Sequence, residues 1–247
     1  MQRLNRSLLH PHDRYRSPEE IFSRIYENHH WGGPGEGYYS GHGSDEALAR
    51  PYAEAVRNFI CAKGIRSVID LGCGDFRVGS LLQLDRVSYV GVDVVPKLIA
   101  RNQAKYAREG VSFTCLNIVD DSLPQAELCL IRQVFQHLSN AQILSVLGKL
   151  HQYRFVIVTE HYPAPEVKGV VANKDKATDG ETRIVDGSAV FLDLPPFNVK
   201  AGRLLIELEI PRGPARGDRF KTLVFENWTC ASFARPQARP MRRWRRC

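Results

Sequence analysis

What the chain lacks narrows it first. Its 247 residues contain no apolar run near the roughly 18 that cross a bilayer. The N-terminal stretch MQRLNRSLLHPHDRYR has basic residues but not the apolar core of a secretory signal. None of the six cysteines (Cys61, Cys73, Cys115, Cys129, Cys230 and Cys247) forms a Cys-x-x-Cys pair, and their irregular spacing argues against a zinc centre or a disulfide framework. Cys115 and Cys129 sit inside apolar runs, as small buried hydrophobes do, so a reducing, cytoplasmic setting is expected. There is no internal repeat, and no low-complexity tract outside the C-terminus. With 43% hydrophobic and 25% charged residues, wholesale disorder is excluded and one α/β domain with additions fits the length.

Acidic residues are absent from the C-terminus. The last thirteen residues, RPQARPMRRWRRC, carry six arginines, so only +1 of the formal net charge of +7 belongs to residues 1–234. The body is therefore nearly neutral. Residues 235–247 are expected to be a disordered basic tail, with nucleic acid or anionic lipid as the partners such a tail could meet.

Ser17-Pro18-Glu19-Glu20 is a capping box with proline at the first helical position, opening a helix to about Asn28. A glycine-rich aromatic stretch (residues 29–44) follows, then a helix from Asp45 to Lys63 stopped by Gly64. From Ser67 the pattern changes to short, continuously apolar strands at 67–72, 88–93, 112–117, 127–132 and 154–160. Helical stretches at 76–84, 96–109 and 139–153 alternate with them, which predicts a doubly wound parallel α/β sheet. Residues 161–202 read as a long irregular connection. Strands at 203–210 and 220–227, separated by PRGPARGDR, read as an antiparallel hairpin. The expected division is an N-terminal helical and lid segment (1–64), a core (65–234) and the tail (235–247).

The first strand runs into Asp70-Leu71-Gly72-Cys73-Gly74-Asp75, a glycine turn at the carboxyl edge of the sheet. The second strand ends at Asp93, where a carboxylate can accept hydrogen bonds from ribose hydroxyls. Together they point to an adenosine-containing cofactor. A dinucleotide fingerprint would want glycine where Arg77 stands, and the turn lacks the Gly-Lys-Ser/Thr of a nucleotide-triphosphate cradle. An acid beside the turn would repel a pyrophosphate and suits a cationic ligand.

VIDLGCGD resembles motif I of the class I S-adenosylmethionine-dependent methyltransferases. YVGVDVVPKLI, FTCLNIVDDSLP and LCLIRQVFQHLS are similar to that family's next three segments, in order, along residues 67–160. The resemblance implies a mostly parallel seven-stranded sheet closed by the C-terminal hairpin, with S-adenosylmethionine as cofactor and S-adenosylhomocysteine as product. It implies Asp70, Gly72 and Gly74 at the methionine end, Asp93 on the ribose and Val94 on the adenine. Asn117 and Ile118 would face the adenine edge, and Gln133 would line the methyl-transfer site. The family often has Asp where Asn117 stands.

Methyl transfer needs alignment, exclusion of water and, for some acceptors, a base. Glu160 and His161 end the fifth strand and His137 follows the fourth, making these three the candidate catalytic residues. His29, His30, Trp31, Tyr38 and Tyr39, interleaved with six glycines between 32 and 43, suggest a lid over cofactor and acceptor. The His29-His30 pair lacks acidic or cysteine partners at ligand spacing, and Arg132 stands where metal-dependent catechol-type enzymes place an acid, so no metal is expected. DLPPFN (193–198) evokes the NPPY-type motif of amino-group methyltransferases, but it lies in the wrong connection and carries an extra residue. The leading expectation is methyl transfer to O or N of a small or sugar-like metabolite, in a pocket built from residues 26–50 and 161–202. A nucleic-acid or ribosomal methyltransferase guided by the tail, and a non-catalytic cofactor-binding module, are the alternatives.

Overall fold

The computed structural model describes residues 17–33, 37–200, 202–211 and 213–228. The arginine tail at 235–247, Cys230, Cys247 and Gly35 lie outside the described residues.

Helix α1 (Pro18–Glu27) opens on the expected capping box: the Ser17 hydroxyl accepts the Glu20 N–H, and the Glu20 carboxylate accepts the Ser17 N–H. Helix α2 (Glu46–Lys63) stops at Gly64, which turns left-handed at φ 62°. Strands β1 (Ser67–Leu71), β2 (Ser88–Asp93), β3 (Val111–Cys115), β4 (Leu128–Arg132) and β5 (Phe155–Tyr162) follow, connected by α3 (Arg77–Ser80), α4 (Pro96–Tyr106) and α5 (Asn140–Leu147). Two-residue strands β6 (Val171–Ala172) and β7 (Ser188–Ala189) pair with each other, and β8 (Arg203–Glu209) and β9 (Arg219–Glu226) form the hairpin.

The main sheet has seven strands in the order β3-β2-β1-β4-β5-β9-β8. Strands β1 to β5 are mutually parallel, and β9 runs antiparallel to both β5 and β8. This is the doubly wound, mostly parallel sheet with a closing hairpin that the sequence implied. Both faces are covered, which is why its central strands are continuous apolar runs. Tyr52, Val56 and Phe59 of α2 pack on Val68, Leu128 and Leu130 on one face. Ile143, Val146 and Leu147 of α5 pack on Ile69, Ile131 and Val156 on the other. Each such aliphatic side chain contributes about 1.5–3 kcal/mol on burial. No helix among the described residues is long and apolar enough to cross a membrane.

Three elements differ from expectation. The helix expected over 76–84 is only the single turn α3, because Phe76 takes a left-handed φ of 62° and sends its ring among Tyr89, Tyr106 and Phe113. The helix expected over 139–153 ends at Leu147, with a separate 3₁₀ turn at Leu150–Gln152. The connection 161–202 contains the β6–β7 pair, too short to carry a periodic signal in sequence.

Candidate active site

Strand β1 lies between β2 and β4, so the connections leaving its neighbours diverge at the carboxyl edge, where open α/β sheets form a crevice. A cavity of about 880 Å³ opens there. Asp70, Gly72, Gly74, Asp93, Val94, Asn117, Ile118 and Gln133 all line it, so the structure brings the eight expected cofactor residues together.

The glycines are required by the protein's own packing. Gly72 and Gly74 sit at φ +79° and +56°, and a Cβ on either would overlap Val134 Cγ2 or Ser40 Oγ. Asp93 pins the turn from the neighbouring strand: one carboxylate oxygen accepts the Gly74 N–H at 3.0 Å, the other the Val95 N–H at 3.1 Å. A carboxylate accepts about four hydrogen bonds, so acceptor capacity remains for a ligand. Burial pushes the Asp93 carboxyl up to about 6, opposed by those backbone N–H groups. Asp70 is likewise raised to about 6 by burial, against the hydrogen bond donated by Tyr89 at 2.6 Å and the charge of Arg132. Asn117 is partly committed to its own loop, its carbonyl accepting the Val119 N–H at 3.0 Å and its amide donating to Asp120 at 2.7 Å. Gln133 adopts a left-handed φ of 58°, and its Nε2 has no partner among the described residues.

The aromatic segment divides. Trp31 and His30 line the cavity and tie its roof to the opposite wall: Trp31 Nε1–H donates to the Gly180 carbonyl at 2.8 Å, and His30 meets the Glu181 carboxylate at 3.0 Å. Tyr38, Tyr39 and His29 do not line it. Tyr39 is buried, its hydroxyl donating to Asp45 at 2.7 Å; Tyr38 packs edge-on to Tyr26; His29 is exposed. Tyr26 and Ser40, which the sequence did not single out, share a hydrogen bond of 2.9 Å, and Ser40 also accepts the Asp75 N–H at 2.9 Å. One serine thus joins α1, the aromatic segment and the glycine turn.

The three candidate catalytic residues also separate. Glu160 is buried away from the cavity, and its two oxygens accept the Phe135 and Gln136 N–H groups at 3.0 and 3.2 Å. His137 lines the cavity, but both ring nitrogens are engaged, one by the Glu181 carbonyl at 3.2 Å and one by Gln136 at 3.3 Å. Burial lowers its pKa to about 3, so it is neutral. His161 lines the cavity with one engaged nitrogen: Nε2 meets Asp218 at 2.9 Å, and the other oxygen of Asp218 accepts the Ala164 N–H at 2.8 Å. Burial lowers the His161 pKa while Asp218 pulls it up. With Nε2–H donated to the carboxylate, Nδ1 carries the free lone pair.

The far wall departs from the expected pocket. Among the described residues of 161–202, only His161 and Gly180–Thr182 line the cavity, and no residue of 193–198 does. The β8–β9 connection supplies Ile210, Pro211, Gly213, Pro214 and Ala215, with Phe220 of β9 beside them. A loop rich in proline and glycine gave no sequence sign of this.

No protein-family profile matches the chain, and no curated protein sequence does. Solved structures do match in fold. The chain is similar to Burkholderia thailandensis 1,6-didemethyltoxoflavin-N1-methyltransferase, solved with 1,6-didemethyltoxoflavin and S-adenosylhomocysteine bound. That likeness has a TM-score of 0.52 at 15% identity, over 90% of this chain and 92% of that one. The N-methyltransferase NodS of Bradyrhizobium japonicum, solved with S-adenosylhomocysteine, matches with a TM-score of 0.50 at 12% identity, over 74% of this chain and 88% of that one. Human N-acetylserotonin methyltransferase gives 0.46 at 12% identity over 84% of this chain, which spans 59% of that protein's length. The fold is that of the class I S-adenosylmethionine-dependent methyltransferases.

Proposed function

We propose that the chain is an S-adenosylmethionine-dependent methyltransferase that methylates an oxygen or nitrogen of a small molecule. The observation that carries this reading is one cavity lined by the glycine turn, by Asp93 and by His161, whose Nε2 is held by Asp218. The residues fit the cofactor. Asp93 retains acceptor capacity for ribose hydroxyls, Val94 offers an apolar surface, and Asn117 and Ile118 stand at the end of β3 for an adenine edge. Asp70, Gly72, Gly74 and Gln133 surround the place for the amino-acid end. The bound cofactor supplies a methyl group on a sulfonium, already activated for displacement.

The chain's own residues do the rest. His161 accepts the acceptor's proton at Nδ1, and Asp218 holds the ring in that tautomer and stabilises the imidazolium as it forms. His137, with both nitrogens committed, holds the roof by fixing Glu181. Trp31, its ring centre 5.3 Å from that of His137 at a tilt of 42° and its Nε1–H bonded to Gly180, excludes water. The apolar far wall favours a compact acceptor over a polymer.

Calorimetry with S-adenosylhomocysteine tests the reading directly. Micromolar or tighter binding is expected, and Asp93→Ala in a folded variant should weaken it by about 1.5–3 kcal/mol, as for a charge-assisted hydrogen bond. A wild-type protein that binds neither cofactor form overturns the proposal.

A further inference from the structure

Arg132 is the last residue of β4 and lines the cavity wall. Its guanidinium lies over two rings, 5.0 Å from the centre of Tyr52 and 5.7 Å from that of Phe220. Among the described residues it has one hydrogen-bond acceptor, the Gly43 carbonyl at 2.6 Å, and its Nε has none. No carboxylate among the described residues stands within ion-pair distance. Asp70 and Glu160 are near enough to be felt, but Asp70 takes its hydrogen bond from Tyr89 and Glu160 takes two from the backbone. A guanidinium against two aromatic faces with no carboxylate hydrogen-bonded to it is costly, and its planar fork matches a carboxylate.

The surroundings give the missing group a place. Phe220 touches both Arg132 and His161, whose ring centre is 5.2 Å from its own, so the cation and the base flank one aromatic wall. Ile210 and Pro211 line the same cavity. We propose that Arg132 is a specificity residue that receives a carboxylate, and that the acceptor is therefore an apolar-bodied organic acid whose hydroxyl or amine reaches His161. This rests on the methyltransferase reading for the word acceptor. The cofactor's own methionine carboxylate is the other source of the same chemistry.

Benzoate and benzamide, alike in shape and different in charge, are the probes. With saturating S-adenosylhomocysteine, the wild-type protein should bind benzoate at least about tenfold more tightly than benzamide. Arg132→Gln should erase that preference and Arg132→Lys should keep part of it, while affinity for S-adenosylhomocysteine changes by less than about twofold. Equal binding of the two probes by the wild-type protein overturns the proposal without need of a variant. A benzoate preference that survives Arg132→Gln overturns it too. So does a loss of about tenfold or more in S-adenosylhomocysteine affinity in Arg132→Gln without a benzoate preference in the wild type, which assigns the guanidinium to the cofactor. Should the wild-type protein bind no S-adenosylhomocysteine, the methyltransferase reading fails alone, and the benzoate comparison in its absence still decides whether Arg132 receives a carboxylate.

Discussion

At the residue scale the decisive contrast is between two histidines on one cavity. His137 has both nitrogens committed and His161 has one free. His161→Asn should therefore lower kcat by about 10²- to 10⁴-fold, the usual contribution of a positioned base, with S-adenosylhomocysteine affinity nearly unchanged. On the proposed reading the working form is the neutral ring, and burial holds the His161 pKa below its ordinary 6.5. The rate should thus be flat through neutrality and fall as pH drops through that lowered value. Asp218 opposes the burial, so Asp218→Asn should move the acid limb to still lower pH while reducing the plateau. Superimposable limbs in the two proteins would refute the pairing. His161 was legible because it stands at a strand end. Asp218 was not, since it lies in a Gly/Pro/Arg connection with no motif, and only the register of β5 against β9 brings the two together.

At the scale of elements, the roof is what the structure changes most. The glycine-rich segment was expected as a lid of five aromatic residues, and two of them, His30 and Trp31, face the cavity. Ser40 and Tyr26 fasten the rest of the segment to the glycine turn. Amide exchange in 29–33 and 37–44 should slow on addition of S-adenosylhomocysteine, because ligand contacts stabilise the closed arrangement. Equal exchange with and without it would show a static roof. Trp31→Ala should lower kcat more than cofactor affinity, since the Gly180 bond closes the site without forming the cofactor's half of it. The strands were legible as apolar runs. The α3 turn was not, because the preference of Phe76 for an aromatic cluster over a helical φ is a tertiary choice.

At the scale of the whole molecule, Glu160 ties catalysis-side loops to stability. It lies under the β4–α5 connection, and burial raises its pKa to about 8 against backbone N–H donors of residues 134–136 and Arg183. Its folded value exceeds the ordinary 4.5, so the folded state holds the proton more tightly, and that stabilisation is lost as pH rises through about 8. Neutral buried His137 works the other way, but only below about 6.5, where the unfolded chain takes up a proton. Between about pH 7 and 8.5 the Tm should therefore fall, and Glu160→Gln should flatten the slope. An identical slope in both proteins would remove Glu160 from the account. The sheet order has one more consequence, in the time of synthesis. β9 is the last strand among the described residues yet sits inside the sheet between β5 and β8, and Asp218 follows His161 by 57 residues. On the proposed assignments, a chain leaving the ribosome completes the proposed cofactor edge, from Asp70 to Gln133, long before Asp218, the partner of the proposed base, emerges. On these assignments a truncated or half-made protein captures cofactor but leaves it unreacted, so turnover itself reports that the C-terminal hairpin has docked.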